Sequence, residues 1–167
     1  SRFVQSYERD AQVGVQLTPN DEFYADQLSL RNVGANGAVS DADIDADAAF
    51  DITTGSSDIV IAVIDSGIDY THPDLFLNVW LNPGEIPESL RSQLVDGDGA
   101  ITFRDLNLPA NAGFVTDLPG DGNDFIDAGD LLADPVWEDG TDDDGNGRTD
   151  DLIGWDFRDN DNDPLDT

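Results

Sequence analysis

The 167 residues contain no cysteine, no methionine and no lysine, and only one histidine. Without cysteine the chain can form no disulfide, offer no thiol nucleophile and build no thiolate metal site, which leaves metal ions as the obvious staple for an exported protein. Methionine is missing even from position 1, so Ser1 reads as an internal start left by processing or truncation. No apolar run approaches the roughly 20 residues a membrane helix needs, and no basic-apolar leader is visible. With lysine absent, seven arginines face 37 acids and the net charge is −30. A surface so poor in cations cannot displace the counterions of nucleic acid or anionic membranes, which excludes both as partners.

What is present is aspartate, 32 residues against five glutamates. Short Asp side chains in loops can converge on one ion within a few residues, and a hard cation such as calcium takes carboxylate and carbonyl oxygens. A saline habitat would also favour an acid-rich, lysine-free surface. The two explanations are compatible, but the clustering of Asp into spaced loops assigns part of the charge to calcium.

The stretch 59–67, Ile-Val-Ile-Ala-Val-Ile-Asp-Ser-Gly, organises the remainder. Six apolar residues without alternation read as a strand covered on both faces, as in a parallel sheet. An acid at the carboxyl end of such a strand, Asp65, lies where open α/β sheets place their chemistry. The alternative is that Asp65 only caps the following turn. Upstream, Asp41, Asp43 and Asp45 lead into a short helix containing Ala46, Ala48, Ala49 and Phe50. Downstream, residues 70–75 read as a turn, 76–81 as an apolar segment with Trp80, and 82–87 as a helix-breaking Pro/Gly turn.

Residues 65–75, Asp-Ser-Gly-Ile-Asp-Tyr-Thr-His-Pro-Asp-Leu, resemble the segment around the catalytic aspartate of subtilisin-like serine proteases. The helix and turn at 47–55 resemble the approach to that strand. Gly154-Trp155-Asp156-Phe157 and residues 159–164 resemble the approach to the family's histidine motif. The resemblance covers roughly residues 18–87 and 139–167. It implies an α/β fold, the first part of a three-layer αβα subtilisin-like domain with a mostly parallel sheet, spanning 18–167. An acidic EF-hand-like or dockerin-like loop insertion at 88–138 lies outside the family's core. Residues 1–17 fall where the inhibitory propeptide of the family ends, or form an ordinary linker.

Three loops are candidates for calcium. The first, residues 94–105, has acids at the third, fifth and last positions of the EF-hand pattern (Asp96, Asp98, Asp105), Gly99 at the sixth and Ile101 at the eighth. Leu94 stands where the first ligand belongs, so a degenerate loop is the competing reading. The second repeats the theme with Asp121, Asn123, Asp127 and Asp130, and could pair with the first. The third, residues 142–151, is the best formed: Asp142, Asp144 and Asn146 alternate around Gly145 and Gly147, and Asp150 or Asp151 would close the shell. A solvated turn is the alternative. The resemblance adds Asp74, which matches a calcium ligand of subtilisin-type enzymes.

In the Asp-His-Ser triad, the acid holds the imidazole in the correct tautomer and stabilises the imidazolium. The resemblance gives that part to Asp65. The single histidine, His72, lies in a His-Pro-Asp-Leu turn that is structural in the family. The base and the serine are therefore expected beyond residue 167, and these residues alone are expected to be inactive. The implied whole is a calcium-stabilised serine endopeptidase, extracellular or at the cell surface. It acts on peptide or protein substrates, with its own propeptide as inhibitor and chaperone. The alternative is a non-catalytic calcium-binding scaffold derived from the same fold.

Overall fold

A computed structural model describes residues 18–118 and 123–165. The expected tail at 1–17 and Asp121 of the second loop lie outside the described residues. The chain divides into two compact units, residues 1–59 and 60–167.

The first unit is held by polar contacts more than by a core. Its helix α1 (Ala46–Phe50) stands where the Ala-rich pattern places a helix. Asp47, in the first turn of α1, serves the unit as a hub. Its Oδ1 accepts the Tyr24 hydroxyl at 2.6 Å and its Oδ2 pairs with Arg31 Nε at 2.9 Å. The hydrogen bond to Asp47 holds the Tyr24 phenol above its ordinary pKa. Asn32 is buried and fully used: its amide donates to Val39 O, its Oδ1 accepts Gly34 N, and its backbone N–H donates to Asp43 Oδ2. Gly34 has φ of 81°, a left-handed conformation that suits glycine.

In the second unit the apolar run shows none of the burial that its composition suggests. Ile61 is 79% exposed and Ile64 99% exposed, and among the described residues the run pairs with no strand. A parallel strand acquires burial from neighbours at about 4.8 Å and from helices on its faces. The pairing near it is one parallel bridge, Ile68 to Leu165, with Ile68 N donating to Pro164 O at 2.9 Å.

The core lies further along the chain. Helices α2 (Glu88–Arg91), α3 (Phe103–Leu106) and α4 (Ala128–Ala133) are single turns or little more. At such lengths a helix is stable only through packing. Leu90, Phe103, Leu106, Ala128 and Leu131 are buried together with Tyr70, Leu81, Ile86, Trp137 and Leu152. Trp137 is completely buried, and its indole N–H donates to Phe114 O at 2.8 Å. Phe76 stacks on Phe125 with ring centroids 3.9 Å apart. Thus residues 88–138 supply much of the buried core of their unit as well as its acidic loops. No helix among the described residues is long and apolar enough to cross a membrane.

Candidate functional site

The third loop is where the acids converge. Among the described residues one group of three has ligand atoms all within 4.8 Å of one another: Glu85, Asp142 and Asp144. Loop 142–151 supplies two of them. Glu85 comes from the Pro/Gly turn some 60 residues earlier and is 2% exposed. Its carboxylate is fixed by the loop's own backbone, Oε1 accepting Asp144 N at 3.0 Å and Oε2 accepting Asp150 N at 3.1 Å. Burial pushes the Glu85 carboxyl above its ordinary pKa, against the lowering effect of the Asp144 and Asp143 amides; the charges of Asp144 and Asp151 add to the rise.

Two asparagines balance the negative charge. Asn82 Nδ2 donates to Asp144 Oδ2 and to Asp151 Oδ1, at 3.1 and 3.2 Å. Asn146 Nδ2 donates to Asp144 Oδ2 and to both oxygens of Asp151. The Asn82 amide is the main reason that the Asp144 carboxyl lies below the usual range. Backbone N–H groups of Asn146 and Gly147 point to Asp142. Asp150 turns away from the cluster, with φ of 54° and its carboxylate accepting Gly140 N. Desolvation raises its pKa. Of the two residues expected to close the shell, Asp151 therefore stands beside Asp144 and Asn146, and Asp150 serves the loop's fold.

The turn brings Asn82 and Glu85 to the loop through a local device. Asn82 Oδ1 accepts Gly84 N and its carbonyl accepts Glu85 N, while Asn82 N donates to Leu152 O. Gly84 lies against the loop so closely that a Cβ there would stand 2.6 Å from the Asp144 Cβ. Read from sequence, 82–87 is only a helix breaker. The available signal was a glutamate in a Pro/Gly turn of a chain whose loops mostly use aspartate. This set of carboxylate oxygens, with a buried acid held in place, fits a hard divalent cation of calcium's type.

The other two loops use their acids differently. Asp105 closes a capping box on α3, its Oδ2 accepting Thr102 N and Thr102 Oγ1. Asp127 caps α4 by accepting Gly129 N, and Asp130 accepts Asp127 N and Leu118 N. Both are almost completely buried, and Asn123 donates to Asp127 Oδ2. Burial raises the Asp127 carboxyl. Asp96 and Asp98 are exposed and accept backbone N–H groups of residues 98–100. Asn107, which follows α3 just beyond the first loop, reaches the second: its amide donates to Ile126 O and its Oδ1 accepts Ile126 N. Asn111, which is buried, ties Val95 to Asp105. Neither asparagine stands out in the sequence.

Asp65 is exposed, and its Oδ1 accepts the amide of Ser66 at 2.8 Å. His72 Nδ1 accepts Asp74 N at 3.1 Å, a local turn contact that leaves Asp74 exposed. Neither acid is within the Glu85 cluster.

No family model matches the chain. Over 96 residues it is 34% identical to halolysin of Haloferax mediterranei, a match that covers 58% of this chain and 15% of that protein. It is 46% identical over 59 residues to a thermophilic serine proteinase of a Bacillus species, covering 35% of this chain and 12% of the proteinase. With neuroendocrine convertase 2 of Drosophila melanogaster it shares 35% identity over 60 residues, 36% of this chain and 9% of the convertase. The chain spans at most 15% of the length of these relatives. These similarities point to the subtilisin-like protease family, over a short region of the chain.

Proposed function

We propose that the chain is the first part of the catalytic domain of a calcium-stabilised, subtilisin-like serine endopeptidase, in which Asp65 is the acid of an Asp-His-Ser triad. The observation that carries this reading is the 46% identity to a named serine proteinase, in a chain whose Asp65-Ser66-Gly67 turn follows an apolar run. In the proposed enzyme Asp65 accepts the Nδ1–H of a histidine supplied beyond residue 167 and stabilises the imidazolium formed as a serine attacks the peptide carbonyl. The parallel sheet forms around residues 59–64, and the substrate is a peptide or protein. Secretion, with a propeptide acting as inhibitor and chaperone, belongs to the same reading.

Calcium is proposed at Glu85, Asp142, Asp144 and Asp151, with Asn146 as a further oxygen donor once its amide turns, since its Nδ2 now faces these acids and its Oδ1 accepts Arg148 N. It would neutralise the close carboxylates and cross-link the turn at 82–85 to loop 142–151. The second reading, a calcium-binding scaffold without catalysis, keeps this centre and drops the triad.

The full-length protein tests the two against each other. Hydrolysis of a casein substrate that falls by about four orders of magnitude in Asp65→Asn supports the protease. Activity untouched by that substitution, or none in the unsubstituted protein, contradicts it. The 167 residues alone are expected to cleave nothing.

A further inference from the structure

We propose that Tyr70 and Asp163 form a clasp that fixes the register between the Asp65 turn and the segment 163–165, making both of them positioning residues for the triad acid. The inference rests on the protease reading above and adds to it a pair that the triad pattern does not contain.

The clasp joins residues 93 positions apart in the chain. Tyr70 is 4% exposed, and its ring belongs to the buried apolar cluster, so its hydroxyl is delivered from a fixed point. That hydroxyl donates to Asp163 Oδ1 at 2.8 Å, and the same oxygen accepts Leu165 N at 3.2 Å. One carboxylate oxygen thereby ties the core to the backbone of the segment. Two residues before Tyr70, Ile68 N donates to Pro164 O at 2.9 Å and Ile68 forms a parallel bridge with Leu165. Pro164 packs against Gly154, where an added Cβ would lie 3.6 Å from Pro164 Cγ.

The contrast with Asp65 gives the clasp its use. Residues 61–66 are exposed, and among the described residues Asp65 accepts its neighbour's amide. Just after that turn, the contacts of Ile68 and Tyr70 both go to 163–165. A reacting group entering from beyond Leu165 is thus set against Asp65 by this joint. A misplacement of about 1 Å at such a joint is enough to lower turnover by about 100-fold.

The test uses the full-length protein and a peptide substrate. Tyr70→Phe and Asp163→Ala should each lower kcat about 10- to 100-fold with KM within about twofold, as misorientation predicts. Asp163→Asn retains an acceptor oxygen and should restore most of the loss. The double variant Tyr70→Phe/Asp163→Ala should be no slower than the worse single one, because the two residues act as a unit. In each variant, faster exchange of the Ile68 amide reports the loosened joint independently of turnover. Wild-type kcat in Tyr70→Phe, or Asp163→Asn as slow as Asp163→Ala, overturns the clasp while leaving the protease reading in place. An inactive unsubstituted protein overturns the protease reading and the clasp's catalytic role together.

Discussion

Glu85 and Gly84 show how one residue of a turn can decide whether a loop of aspartates becomes a site. Glu85 is buried among acids and tied to two loop amides, whereas Gly84 lets the turn approach Asp144 at a distance no side chain permits. Gly84→Ala should destabilise the protein by about 1–3 kcal/mol, since the clash is with a Cβ fixed to the backbone. Urea denaturation with and without calcium checks this, and the loss should persist in both. Glu85→Gln should weaken calcium binding by about 10- to 100-fold, read by calorimetric titration. The alternation of Asp142, Asp144 and Asn146 was legible in sequence because spacing within ten residues forces proximity. Glu85 and Asn82 were not, because their approach is created by a tertiary contact between segments some 60 residues apart.

At the scale of elements, identical residue types divide into two kinds of work. Asp127 and Asp130 belong to a loop with calcium-like spacing, yet here they cap α4 and satisfy the N–H groups of Leu118, Asp127 and Gly129. Capping boxes and EF-hand-like loops share the pattern of an acid three residues after an oxygen donor, so spacing alone does not separate them. Asp127→Ala should cost about 0.5–2 kcal/mol through the lost cap, while Asp127→Asn should cost much less. Thermal melts of the two variants distinguish them. The short helix α1 was legible from its alanines and early acids. The apolar run at 59–64 reads as a strand by composition, but composition does not supply the neighbours that bury a strand, and among the described residues the run is neither paired as a strand nor buried. Asn107 and Asn111 escaped notice because an amide bridging backbone groups has no sequence period.

For the whole molecule, the surplus of acid makes stability depend on protons and cations together. Glu85, Asp127 and Asp150 have pKa values raised mainly by burial. A raised folded-state value means their contribution is complete below the ordinary carboxylate pKa of about 4 and is lost as pH rises through the raised value. Asp144, lowered by its hydrogen bond to Asn82, acts oppositely: its contribution is present above the ordinary pKa and is lost only as pH falls through the lowered value. In EDTA, therefore, the melting temperature should rise as pH is lowered from neutrality through the raised values toward the ordinary carboxylate pKa. With calcium the trend should reverse, because the ion requires ionised ligands. Scanning calorimetry at several pH values, with and without calcium, checks the sign.

The proposed calcium centre is tested most directly by titrating calcium into chelator-stripped protein and following both heat and melting temperature. The expected result is a saturable binding event, abolished or strongly weakened in Glu85→Gln and unaffected in Asp127→Asn. It should be accompanied by about 2.7 kcal/mol of stabilisation when free calcium exceeds the dissociation constant a hundredfold. No heat and an unchanged melt at low salt, or binding indifferent to Glu85→Gln, would contradict it.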